Sequence, residues 1–250
     1  MSAHRGITPA HAATDYHFPS VLRHTALFLH RDTTTLEQSL AMLKGLSYLR
    51  FECRSVRALD FGPDLTGGSA RRRELKPWQR TPVWRAQREG PASPHDVALH
   101  LDFDDDAGFD AYNEDPAHAE VGAYNASINQ GELTARINYW YEGPPAIAPG
   151  LVRHTALFLW KPGAGDAEKA AASDAAAALA DAPGVERVTI GHNQPLLATD
   201  YDWIMDLQVT DAEGLRGLLG GDRYAAATAA VIPATQYEWT ATVSHLMRGF

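Results

Sequence analysis

VLRHTALFLH at residues 21–30 and LVRHTALFLW at residues 151–160 share the seven-residue word RHTALFL, repeated intact from Arg23 to Leu29 and from Arg153 to Leu159. In a chain of 250 residues, an identical apolar word at that spacing marks two copies of one unit and fixes where each begins. The word is apolar on both alternating faces, as a central strand covered on two sides must be. Function is then to be sought in what the two copies do differently.

Reading outward in parallel, TTTLEQSLAMLKGLSY (33–48) places Leu36, Leu40, Leu43 and Leu46 at helical spacing behind a threonine cap. Its counterpart, Asp166 to Asp181, is Ala-rich and stops before Pro183-Gly184. Second strands are predicted over Phe51–Asp60 and Val185–His192. Third strands follow, with Val97, Leu99, Leu101 and Phe103 alternating against Ala98, His100 and Asp102, matched by Tyr201, Trp203, Met205, Leu207 and Val209. Each runs into an acidic stretch, Asp104-Asp105-Asp106 or Thr210-Asp211, suited to a helix start because carboxylates cap free amides there. Helical regions extend to about Asn129 and Val231. Strands of period two close each copy, Ala135-Ile137-Tyr139-Tyr141 and Tyr237-Trp239-Ala241-Val243.

The order strand, helix, strand, strand, helix, strand is that of the ferredoxin-like unit, a four-stranded antiparallel sheet with its helices on one face. The other sheet face must be covered, and two copies in one chain can cover each other. The predicted fold class is therefore α+β, with two tandem ferredoxin-like (βαββαβ) units forming an intramolecular dimeric α/β barrel. The expected organisation is a flexible N-terminal arm (1–19), a first unit (20–142), a Pro- and Gly-rich linker (143–150) and a second unit (151–250).

Composition narrows the partners. With 45% hydrophobic and 21% charged residues the chain reads as globular, and a net charge of −9 disfavours a nucleic-acid backbone, which needs a surplus of Lys and Arg. The one cysteine, Cys53, permits no internal disulfide and reads as a small buried hydrophobe. Residues 1–20 contain no signal-peptide core and no run reaches membrane-spanning length, so a cytoplasmic protein with no membrane partner is expected. The histidines are scattered, without H-x-x-x-H or H-E-x-x-H, so no metal is expected. Asp102 to Gly108 resembles a calcium loop, but the glycine is displaced and no Glu stands at the twelfth position; a capped helix start is the better reading. The glycine clusters form no nucleotide fingerprint, and no cofactor is called for.

The first-strand RHTALFL with its histidine, the third strand entering an acidic helix start, and Tyr112-Asn113-Glu114-Asp115-Pro116-Ala117-His118 together resemble the stress-responsive A/B barrel, or dimeric α/β barrel, family. The likeness spans residues 20–248, and the segment 112–118 looks like that family's Y-x-x-x-P-x-H pattern. Within the family, the chain is most similar to plant-type polyketide cyclases that form olivetolic acid by aldol closure. That resemblance implies His118, Tyr112 and His24 as catalytic residues, with no cofactor and a carbonyl-rich small molecule as substrate. A further histidine of those cyclases falls near Val97 here, which departs from the pattern.

Chemistry supports the same residues. Histidine titrates near neutral pH, so His118 in an apolar pocket can take a proton from carbon flanked by carbonyls. Tyr112 can hold the developing oxyanion as an un-ionised donor, and His24 can orient the base or bind a carbonyl. Val97, Phe28 and Phe109 are expected to line the substrate pocket. Each has a structural reading too: Tyr112 at helical spacing from Phe109 suits a core, and a strand histidine suits a hydrogen-bonded interior.

The copies differ in two places. Aligning 101–118 with 207–224 sets Leu218 opposite Tyr112 and Tyr224 opposite His118, which predicts one working pocket, in the first unit. A competing site in the second unit would draw on His154, His192, Tyr201, Trp203 and Tyr224. The first copy also carries an insertion, Gly62–Pro94, rich in arginine, where Arg72 and Trp84 are candidate substrate contacts of a lid. The function expected is a cofactor-independent cyclase. A cofactor-free lyase or monooxygenase, or a non-catalytic ligand-binding or stress-response protein, are the alternatives. An internal pseudo-dimer is expected, with further homodimerisation left open.

Overall fold

The computed structural model describes residues 20–66, 95–143, 148–194, 196 and 201–248. The N-terminal arm, most of the insertion, and with it Arg72 and Trp84, lie outside the described residues.

The first unit runs β1 (Ser20–Phe28), α1 (Leu36–Glu52), β2 (Ala58–Pro63), β3 (Val97–Phe103), α2 (Asp106–Glu114), α3 (Pro116–Ile128) and β4 (Ala135–Glu142). The second repeats it as β5 (Val152–Phe158), α4 (Asp166–Ala177), β6 (Val185–His192), β7 (Trp203–Val209), α5 (Ala212–Leu219), α6 (Asp222–Val231) and β8 (Ala241–Leu246). Both sheets are four-stranded, in the equivalent orders β2-β3-β1-β4 and β6-β7-β5-β8, with the repeated word central in each. All strand pairs are antiparallel. These are two tandem ferredoxin-like units of the α+β class.

Local differences from the sequence reading have plain causes. Helix α1 starts behind Thr35, whose side chain forms a capping box with Gln38, and continues to Glu52, so the second strand begins at Ala58 rather than Phe51. Its buried face is Met42, Leu46 and Leu49, whereas Leu36 and Leu40 are 73% and 56% exposed. Leucine spacing alone did not select the inward face. Pro116 divides the third-strand-to-fourth-strand helix in two, with Asp115 ending α2 and capping α3. Asp105 caps α2 by accepting from the Gly108 amide at 2.8 Å, which is the capped start expected of the acidic cluster. Tyr237–Trp239 form a 3-10 turn, and the last strand starts only at Ala241.

Strand alternation sorts the word RHT into two faces. His24 and His154 point toward the helices, beside Ala26 and Phe28 or Ala156 and Phe158 of the two helix-side cores. Arg23, Thr25, Arg153 and Thr155 point the other way, into a space between the sheets that also holds an apolar core of Leu27, Ile137, Leu157, Ile204 and Val243. Backbone hydrogen bonds join the two sheets at both edges. Leu65 and His95 donate to the carbonyls of Ser244 and Thr242 at 2.6 and 2.8 Å, and Gln194 donates to Asn138 at 2.7 Å. The sheets thereby close one barrel within one chain.

Glycines sit where those edges meet. Gly62 of β2 and Gly191 of β6 occupy equivalent registers, opposite Ala98 and Ile204. A Cβ on Gly62 would lie 2.9 Å from His245 Cβ, and one on Gly191 would overlap the Tyr139 ring. Gly191→Ala is therefore expected to cost about 1–3 kcal/mol through overpacking. Chemical denaturation measures it, and an unchanged midpoint would mean that the edge yields without strain.

The space between the sheets also contains ions. Arg23 donates Nε to Asp102 Oδ1 at 2.6 Å and Nη1 to Asp206 Oδ2 at 3.2 Å, while Arg153 donates Nη1 to Asp60 Oδ2 at 2.8 Å. Arg153 Nε lies 3.2 Å from Asp206 Oδ1 without the alignment of a hydrogen bond, so Asp206 stands between both guanidiniums. His245 Nε2 reaches Asp60 at 2.9 Å, and His100 bridges Thr25 and Thr155 at 3.0 and 3.4 Å. Burial alone would raise the Asp60 carboxyl; the contacts with His245 and Arg153 outweigh it and hold the group below its ordinary value.

Candidate functional site

Between the sheet and helices of the first unit lies a cavity of about 120 Å³, lined by His24, Phe28, Tyr112, His118, Asn125 and Arg136 among others. Antiparallel pairing sets His24 on β1 beside Asn138 on β4, and His24 Nδ1 meets Asn138 Oδ1 at 2.7 Å. A carbonyl oxygen only accepts, so Nδ1 carries the hydrogen and Nε2 keeps its lone pair. Tyr112 is the last buried residue of α2, and His118 lies in the first turn of α3 beyond Pro116. The break at Asp115 brings the two rings face to face, with centroids 4.0 Å apart and planes 29° from parallel.

Electrostatics define their states. Burial lowers His24 to about 4, only partly offset by the Asn138 contact. Burial also lowers His118 from its ordinary value, against the backbone of Asn113 and the charge of Asp115, so both rings are neutral at pH 7. His118 Nδ1 is buried without a hydrogen-bond partner among the described residues. Burial pushes the Tyr112 phenol well up, which keeps it a donor. Two neutral imidazoles and one phenol thus surround a small space, a set able to accept a proton and to hold an oxyanion.

Of the other residues singled out from sequence, Phe28 lines this cavity. Phe109 stands behind His24 at 5.3 Å between ring centroids, and Val97 is sealed in the core while Leu99 on the same strand takes the lining position. Cys53 is buried, its thiol raised to about 11 by burial and by Asp115.

The second unit has the larger cavity, about 630 Å³, in the equivalent place. His154 Nδ1 lies 2.8 Å from Ser244 Oγ, and Nε2 lies 3.0 Å from the hydroxyl of Tyr224, the residue aligned with His118. Burial lowers His154 to about 4 and raises the Tyr224 phenol well above its ordinary value. Of the competing set read from sequence, His154 and Tyr224 come together. His192 is exposed at the end of β6, Tyr201 donates to the Trp239 carbonyl at 2.8 Å, and Trp203 stacks between Phe158 and Trp160. Ser244 was not singled out from sequence. It occupies the register of Asn138, opposite the strand histidine, and pairing the copies strand by strand would have exposed it.

The described start of the insertion reaches across to this second cavity, where Leu65 and Thr66 form part of the lining. Among the described residues, no group of three His, Cys, Asp or Glu could hold a metal ion. None of the described helices is long and apolar enough to cross a membrane.

No family model matches the chain, and no curated protein matches it. Solved structures do. An anthrone oxidase-like protein superposes with a TM-score of 0.56 at 9% identity, covering 92% of each chain. A protein of Fusobacterium nucleatum assigned provisionally as a monooxygenase gives 0.53 at 10% identity over 93% of each chain. A dimeric ferredoxin-like protein of unknown function from Thermobifida fusca is 25% identical and covers 51% of this chain and 95% of its own, with a TM-score of 0.34. At these values the first two share the fold alone, and the third carries no weight.

Proposed function

We propose that the chain is a cofactor-independent small-molecule enzyme that removes a proton from carbon flanked by carbonyl groups. The observation that carries this reading is the neutral His118 stacked on Tyr112 beside His24 in one cavity. His118 takes the proton, the Tyr112 hydroxyl donates to the enolate oxygen, and His24 fixes the neighbouring carbonyl. Attack of that enolate on a distant carbonyl of the same molecule closes a ring, and the proton returns from His118 to the new alkoxide. The resemblance to plant-type polyketide cyclases favours a polyketide-like substrate. A cavity of about 120 Å³ admits its reacting end rather than its whole length.

The test is carbon-bound deuterium uptake by a 1,3-diketone in D₂O, followed by NMR. The protein is expected to accelerate exchange without oxygen consumption, and His118→Ala to slow it by at least about 10²-fold, the lower range for a lost general base. Circular dichroism checks that the variant stays folded. Exchange equal in the variant would remove His118 from the mechanism. Oxygen uptake coupled to turnover would move the reaction to oxygenation, a step open to any carbanion formed here.

A further inference from the structure

The cavity of the second unit is unused by that reaction. It is larger, its polar groups differ, and part of its wall comes from the first unit. Ser244 is held from that side: its amide donates to Asp64 Oδ1 at 2.9 Å, and its carbonyl accepts from the Leu65 amide at 2.6 Å. The strand position that bears Ser244 is therefore fixed by the root of the insertion.

Three polar groups form a hydrogen-bonded chain, Ser244 to His154 to Tyr224. Ser244 Oγ makes no hydrogen bond among the described residues other than that to His154 Nδ1, and when Nδ1 bears no hydrogen it accepts from the Ser244 hydroxyl. A neutral imidazole has one hydrogen, which then sits on Nε2 and points at the Tyr224 oxygen. In this tautomer the Tyr224 hydroxyl is left to donate to a third acceptor, whereas in the other it donates to Nε2, so a guest carbonyl would select the first. Most of the remaining lining is apolar, including Ala156, Phe158, Met205, Leu215 and Val231. Its other uncharged polar groups are the hydroxyls of Thr66, Thr228, Tyr237, Thr240 and Thr242. The one charged residue among the described lining residues, Arg216, is 73% exposed and lies 3.8 Å from Glu213. Among the described residues a bound carboxylate would find no buried counter-charge there, whereas a ketone oxygen would find a donor.

We propose that the second unit is a separate binding site for a neutral, ring-bearing ketone, with the Ser244–His154–Tyr224 chain donating to its carbonyl oxygen. The volume of about 630 Å³ lies within the range of small-molecule pockets. Phe158 forms part of the wall and stacks on Trp203 at 4.3 Å between centroids, so an aromatic guest would lie next to a ring stack. The site does not depend on chemistry at His118.

The probe is 6-propionyl-2-dimethylaminonaphthalene, a neutral naphthyl ketone whose emission shifts to the blue on leaving water. Saturable binding to the full chain is expected, with displacement by 2-acetylnaphthalene and not by 2-naphthoate. Tyr224→Phe, which removes one oxygen, should weaken binding about tenfold, as a lost hydrogen bond in an apolar site does. Thr228→Trp, which fills the second cavity, should abolish it. Val121→Trp, which fills the first, should leave the probe bound, and both tryptophan variants are checked for folding by circular dichroism. Unchanged binding in Tyr224→Phe and in a folded Thr228→Trp would overturn the proposal. So would probe binding lost in a folded Val121→Trp, or competition by the naphthoate as strong as by the ketone. Loss of diketone exchange in His118→Ala leaves these outcomes independent, so the two readings can fail separately.

Discussion

Replacing Arg153 with Met is expected to lower folding stability by about 3–5 kcal/mol, the range for a buried ion pair deprived of one partner. Its guanidinium is fully buried between the sheets, 2.8 Å from Asp60 and 3.2 Å from Asp206. Methionine fills comparable volume, so the loss would come from charge rather than from a void. Asp206 would retain Arg23, and Asp60 would retain His245, but both carboxylates would lose the guanidinium they share. Asp60→Asn in the same background should recover part of the loss, since a neutral amide needs no counter-charge. Denaturant titration at pH 7 measures both. A loss below about 1 kcal/mol in the single variant would indicate that water reaches the ions, because solvated pairs contribute no more than that.

Acidification from pH 7 to pH 4 is expected to destabilise the protein steeply. The strand histidines His24 and His154 are each lowered by burial from 6.5 to about 4. The unfolded chain therefore binds more protons than the folded one throughout that window, and stability falls as pH falls through it. The full contribution is present above about 6.5, and each ring loses about 3 kcal/mol at most by pH 4. His100, lowered well below its ordinary value by burial and by Arg153 and His245, adds loss of the same sign. Asp60 acts below this range. Its carboxyl is held down in the fold, so its contribution is present above about 3.9 and is lost as pH drops further. Stability measured at intervals between pH 7 and pH 4.5 should slope upward with pH, and His24→Gln with His154→Gln should flatten the slope. A level profile in the unaltered protein would show that the rings are solvated.

Much of this architecture can be read from residues because its signals are local. The repeated word named both central strands, alternation in Val97 to Phe103 gave the third, and acidic caps marked the helix starts. Boundaries failed where tertiary contact decides them: α1 overran Phe51, and Leu36 and Leu40 face outward because the sheet takes Met42, Leu46 and Leu49 instead. The segment Tyr112 to His118 and the strand histidine were visible as a candidate set, and one cavity gathers them. Ser244 and the guanidiniums escaped notice for another reason. Their meaning depends on which face of a strand is turned inward and on what a distant strand places opposite, neither of which a motif carries. Arg23 and Arg153 did leave one trace, a charged residue kept at the same place in two otherwise apolar strands.

The ions between the sheets have a consequence for how such a chain can change. A dimer of identical halves related by a two-fold axis must hold every buried group in pairs. Among the described residues the network has Asp60, Asp102 and Asp206 against Arg23 and Arg153, an odd number of carboxylates. The first unit supplies two carboxylates and one guanidinium; the second supplies one of each, with His245. Two copies of the first unit would enclose four carboxylates with two guanidiniums, a pairing that repels itself. The first half is thus a lock cut for the second: its surplus carboxylate is matched by Arg153 and His245, which a second copy of itself would not bring.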